Sequence, residues 1–137
     1  MKKKVLSVLG IMVISFIGVF SLEINKANAD TSTGWGHFAT EDGKWDGRIT
    51  TNSMDPNVVV RVSNLWKTDG YGANQAYPSN LQVRLCNAYT GACTGWKYYE
   101  DDGSARFYGM KAATFNVDMK DIFSWLYIYG DRVITAY

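Results

Sequence analysis

The stretch LQVRLCNAYTGACTGWKYY, residues 81–99, decides the fold class. Leu81, Val83 and Leu85 alternate with Gln82 and Arg84, the two-residue period of a strand with one buried face. Placing Cys86 opposite Cys93 sets Val83 against Trp96 and Leu81 against Tyr98. One face then carries Leu81, Val83, Leu85, Trp96 and Tyr98, and the other carries Gln82, Arg84, Lys97 and the two cysteines. Side chains of one strand that sort cleanly by face are the mark of a set register. The connecting residues, Ala88 to Gly91, end in a glycine able to take the left-handed conformation. The stretch is read as an antiparallel hairpin stapled by a Cys86–Cys93 disulfide.

The same period continues on both sides. Strands are expected at 35–39, 47–51, 57–66, 80–87, 92–99, 105–110, 113–119, 122–129 and 132–137. Asp42-Gly43, Asp46-Gly47, Asp69-Gly70 and Asp102-Gly103 are expected to be turns, because glycine supplies the positive φ that tight turns need. A second hairpin is expected at the C-terminus, from Ile122 to Tyr129, through Gly130-Asp131, to Arg132–Tyr137. Its first strand is apolar on both faces, so it is either covered twice or displays one face to a ligand. Residues 67–79 form the longest expected loop. No stretch holds a 3.6-residue period. The expected fold is an antiparallel β-sandwich of about eight or nine short strands, with a small barrel as the alternative.

Residues 1–29 read differently. Lys2, Lys3 and Lys4 precede an uncharged run from Val5 to Leu22, and a polar stretch ends in Ala27-Asn28-Ala29. Positive charge, apolar core and an A-x-A site are the order of a secretory signal peptide. Cleavage after Ala29, secretion, and a single exported domain at 30–137 are the expectation, with no membrane attachment after cleavage. Loss of Lys2, Lys3, Lys4, Lys26 and Glu23 turns the formal charge of +1 into −2.

Charge and composition exclude several functions. A slightly acidic domain lacks the basic footprint of a nucleic-acid binder. One histidine and two cysteines do not make a Cys/His zinc site, and no metal or cofactor is expected. His37 stands without a recognisable nucleophile motif, and Glu100-Asp101-Asp102 lie on one turn rather than across a cleft, so no catalytic residue is assigned. The chain retains five Trp and nine Tyr after residue 29, a high load for a small domain. Phe123, Trp125, Tyr127 and Tyr129 are spaced by two and so share one face of the expected strand. That face is either a core wall or a stacking platform for sugar rings. Tyr71 and Tyr77 flank an amide-rich segment in the long loop, and tyrosine beside Asn, Ser and Gly suits a loop-borne binding surface.

Trp125, Tyr127, Tyr129, Tyr71 and Tyr77 are therefore the candidate ligand-binding residues, and Cys86 and Cys93 the staple. The expected function is a secreted, non-catalytic binding protein whose partner is a glycan, cell-wall material or an extracellular protein. The alternative is a secreted antagonist, either an inhibitor of an extracellular hydrolase or a bacteriocin-like toxin, with Asn87–Ala92 as its rigid loop. A small hydrolase is a third and poorer reading.

Overall fold

The computed structural model describes residues 30–137. The expected signal peptide lies outside the described residues. Ten strands follow in chain order: β1 (Thr31–Ser32), β2 (Gly36–Ala39), β3 (Gly47–Thr50), β4 (Val58–Thr68), β5 (Ala73–Gln75), β6 (Leu81–Asn87), β7 (Lys97–Tyr98), β8 (Ser104–Phe107), β9 (Thr114–Asp121) and β10 (Tyr127–Ala136). A 3-10 turn at Pro78–Asn80 precedes β6. All pairings are antiparallel.

The strands form two sheets. In the first, β10 and β4 lie side by side at the centre; β1 and β2 share the far edge of β10, and β5 and β8 share the far edge of β4. The second sheet runs β3-β9-β6-β7. Val58, Val60 and Val62 of β4 and Ile128, Ile134 and Ala136 of β10 pack in one buried cluster with Leu81, Val83 and Leu85 of β6 and Phe115, Val117 and Met119 of β9. Each fully buried aliphatic side chain contributes about 1.5–3 kcal/mol. The result is a β-sandwich, not a closed barrel, as the alternating pattern led one to expect.

The C-terminal hairpin is not formed. Residues 127–136 are one continuous strand, and Tyr129, Asp131 and Arg132 all pair with β4 on one side and β2 on the other. Gly130 is no turn residue. It sits where the two central strands fall out of step: Tyr129 faces Trp66 and Asp131 faces Ser63, so Asn64 and Leu65 of β4 oppose the single Gly130. This is a β-bulge. Asn64 takes the extra residue's left-handed conformation (φ 54°), which asparagine tolerates better than most side chains. A Cβ on Gly130 would come within 2.9 Å of the Ser63 and Asn64 carbonyl oxygens, so glycine is there for close approach. Residues 122–126 form an irregular connection rather than strand, which removes Phe123 and Trp125 from the expected stripe.

The stapled hairpin is present with one change. The Cys86–Cys93 disulfide forms and the two cysteines face each other in a bridge. Beyond it the register slips by one residue, pairing Val83 with Lys97 and Gln82 with Tyr98. The Thr94 hydroxyl takes the Leu85 N–H that a strand carbonyl would otherwise have taken, and β7 shrinks to two residues. Trp96 therefore leaves the apolar face assigned to it. Its ring lies against the Arg84 guanidinium (4.4 Å) and the Lys120 ammonium (4.3 Å).

Two smaller expectations also change. Asp46-Gly47 is not a turn: Gly47 begins β3, and its missing side chain leaves room for Ile134 and Arg132. The long loop is partly ordered as a hairpin, with Thr68 paired to Ala73 and Trp66 to Gln75. Asp42-Gly43, Asp69-Gly70 and Asp102-Gly103 do place their glycines at positive φ, as does Gly91 in the stapled loop.

Candidate ligand-binding face

The outward face of the first sheet follows from the parity of β10. Ile128, Gly130, Ile134 and Ala136 are buried, so Tyr127 and Tyr129 point away from the core. Tyr127 is 39% exposed and Tyr129 36%, with ring centroids 6.3 Å apart. Directly opposite Tyr129 on β4 stands Trp66, 38% exposed, and opposite Trp66 on β5 stands Gln75. Three aromatic side chains thus lie side by side on paired strands, where neighbours across a strand pair approach to about 5 Å.

The bulge shapes the ground beside them. Up to Val62 the even residues of β4 face the core; past Asn64 the phase changes, Leu65 turns inward and Trp66 turns out. The Asn64 side chain then accepts the Trp66 indole N–H at 3.1 Å and helps to hold the ring. Along this part of β4 neither β5 nor β8 pairs fully, and a cleft of about 380 Å³ opens there. Trp66, Asn64, Gln75, Tyr77, Asp101 and Asp102 are among the residues that line it. Asp102 uses Oδ1 to accept the Ser104 N–H and hydroxyl, and these bonds hold its carboxyl below the usual range. The acidic cluster is thus a hydrogen-bonded turn at the rim of the cleft.

The five candidates named from sequence are distributed. Tyr127 and Tyr129 share the sheet face, and Tyr77 lines the neighbouring cleft. Tyr71 is 97% exposed at the β4–β5 turn and borders a separate hollow with Leu126 and Lys67. Trp125 is strongly exposed on the connection before β10. Phe123, first of the expected stripe, packs instead against the core beneath the Lys67 ammonium. Trp66 was not singled out from sequence. The signal for it is Asn64, which falls where the Val58, Val60, Val62 alternation calls for another inward apolar residue.

His37 has a partner that no sequence spacing suggests. It faces Asp131 across β2 and β10, with Nδ1 2.7 Å from the carboxylate, on the same outer face and largely in solvent. Among the described residues no group of three His, Cys, Asp or Glu side chains is placed to hold a metal ion. What the face offers is aromatic ring surface, with the Tyr127 and Tyr129 planes tilted 46° to each other, next to amide and carboxylate groups. Aromatic rings take the C–H faces of a sugar, and amides and carboxylates take its hydroxyls.

The sequence matches no protein-family model and none of the curated proteins. Among solved structures, a carbohydrate-binding module from Cellvibrio mixtus lichenase 5A, in complex with cellotriose, is 9% identical, with a TM-score of 0.31 over 77% of this chain and 95% of that one. The virus-like particle of the Macrobrachium rosenbergii extra small virus is 10% identical, with a TM-score of 0.24 over 78% of this chain and 79% of that one. Likenesses at these scores bear on neither the fold nor the function of the chain.

Proposed function

We propose that the protein is an exported, non-catalytic glycan-binding module that holds its ligand on the outer face of the first sheet. The observation that carries this reading is the row Tyr127, Tyr129 and Trp66, all half-exposed on the two central strands. Rings fixed on paired strands lose little freedom when a ligand settles on them, which favours affinity. The cleft with Asn64, Gln75 and Tyr77 supplies polar groups at the end of the row for hydroxyl recognition. The near-neutral charge of the domain suits a neutral polysaccharide rather than a nucleic acid.

The test is tryptophan fluorescence with a panel of soluble and insoluble polysaccharides, peptidoglycan included. Saturable quenching or a blue shift is expected with at least one of them. Trp66→Ala should weaken that binding by about tenfold or more, the scale of one lost stacking contact plus its buried area. Tyr129→Ala should act in the same direction, and circular dichroism should show both variants folded. If no glycan perturbs the emission, the reading fails.

One observation favours a second reading, that of a secreted antagonist. The Asn87–Ala92 loop is held by the disulfide and by its own bonds: the Asn87 side chain accepts the Tyr89 and Thr90 N–H groups, and the Gly91 N–H reaches the Asn87 carbonyl. It presents Tyr89 almost fully to solvent. Stoichiometric inhibition of an extracellular hydrolase, abolished by Tyr89→Ala, would establish this reading over the first.

A further inference from the structure

A second cleft, of about 490 Å³, lies beyond the free edge of β2, between the 41–46 loop and the outer surface of the second sheet. It falls in the size range of small-ligand sites. Trp45 borders it with half of its surface in solvent. Trp96 forms another part of the wall, held by Arg84 and Lys120, while Arg84 is itself paired to Asp118 at 2.9 Å. Asp46 lines the same cleft and is only 6% exposed.

Asp46 is half spent. Its Oδ2 accepts the Met119 N–H at 2.8 Å. Its Oδ1 has no hydrogen-bond partner among the described residues. Yet no polar side-chain atom among them is both buried and unpartnered, so Oδ1 must reach solvent through the cleft that Asp46 lines. Oδ1 is therefore an open acceptor facing the cleft, available to a ligand hydroxyl that displaces water from it.

The charges of the wall define that ligand. Glu41, Asp42, Asp46 and Asp118 alternate with Lys44 and Lys120. A ligand ion of either sign would meet like charge on one side. No three carboxylates converge as a metal ion requires, among the described residues. A neutral polyhydroxylated ring meets both signs well, because each hydroxyl donates to a carboxylate and accepts from an ammonium group.

We propose that this cleft is a second, independent saccharide site, which takes a neutral sugar unit against Trp45 with its hydroxyls between Asp46 and the Lys44 and Lys120 ammonium groups. It shares its ligand class with the sheet face, and to that extent rests on the glycan reading, but it shares none of the aromatic residues.

The five tryptophans allow the two sites to be read separately. The indole N–H signals of the ¹⁵N-labelled protein are followed while it is titrated with hexaoses of the cellulose, xylan and chitin type. Polygalacturonate and a glucosamine hexamer serve as charged counterparts. The expected result is that at least one neutral hexaose shifts Trp45 and Trp96 along one saturation curve and Trp66 along another. Trp45→Ala should then abolish the Trp96 shift and spare that of Trp66. With the titration run at about pH 8.5, above the raised pKa of the Asp46 carboxyl, Asp46→Asn keeps an acceptor for Met119 but loses the charge, and should weaken the Trp45 curve by about tenfold, the scale of a charge-assisted hydrogen bond.

A shift of Trp66 with Trp45 and Trp96 unmoved overturns the second site and leaves the sheet face standing. Shifts of Trp45 and Trp96 with Trp66 unmoved do the reverse. Movement of Trp45 by the charged probes only, or loss of its shift in Trp66→Ala, also overturns the proposal. If no indole moves, both sites fall.

Discussion

Asp46 shows how one side chain can carry both a structural and a chemical consequence. Burial, with help from the Asp42 and Asp118 charges, pushes its pKa from 3.8 up to about 7, against the opposing pull of the Met119 N–H and Arg132. The folded protein therefore keeps this proton between about pH 4 and 7, where the unfolded chain has lost it. Stability must fall as pH rises through that window. Thermal unfolding followed from pH 5 to pH 8 should show a smaller decline in Asp46→Asn than in the parent chain. An identical decline in both would place the titration elsewhere. The same burial, with Asp46 nearby, raises the pKa of Tyr99, whose hydroxyl donates to the Met119 sulfur at 3.1 Å. None of this is legible in the sequence, where Asp46 stands before a glycine like any turn aspartate. Its environment comes from β9, some seventy residues away.

At the scale of the element, the bulge between β4 and β10 decides where the aromatics point. Remove it, and Trp66 would continue the inward phase of Val58, Val60 and Val62. Gly130→Ala puts a methyl group within 2.9 Å of two backbone oxygens and the Leu65 side chain. The neighbouring backbone must move, and a loss of about 1–3 kcal/mol is expected, measured by urea denaturation. Asn64→Gly should be nearly neutral, while Asn64→Val should destabilise, because a β-branched residue resists positive φ. If Asn64→Val lowers glycan affinity more than Asn64→Gly, which loses the same bond to the Trp66 indole but keeps the bulge, the bulge is what sets Trp66. A Gly-Asp pair between two apolar runs has the same local chemistry in a hairpin turn and in a bulged strand. The choice falls to the partner strands, which is why the expected C-terminal hairpin opens into one strand paired on both edges.

At the scale of the whole molecule, the disulfide is a local staple on a sandwich that carries its own core. The bridge spans a sequence separation of seven, so the chain-entropy argument assigns it about 2–3 kcal/mol. Replacing Cys86 and Cys93 together by serine should lower the unfolding free energy measured by urea denaturation by that amount and leave the far-ultraviolet dichroism of a β-sheet protein. Complete unfolding of the double variant would mean that the buried cluster is too weak to stand alone. Alternation of apolar and polar residues, the glycine turns and the Cys86–Cys93 spacing were enough to establish an all-β domain with a stapled hairpin, because each depends on residues close together in the chain; the choice of sandwich over barrel came from the pairing of distant strands into two sheets. Which aromatics leave the core, where Trp96 rests, how His37 meets Asp131 and how Asp46 becomes buried were settled only by tertiary pairing. A period of two says that a strand has two faces. Which face meets the other sheet, and where a register slips by one residue, depends on contacts between segments far apart in sequence.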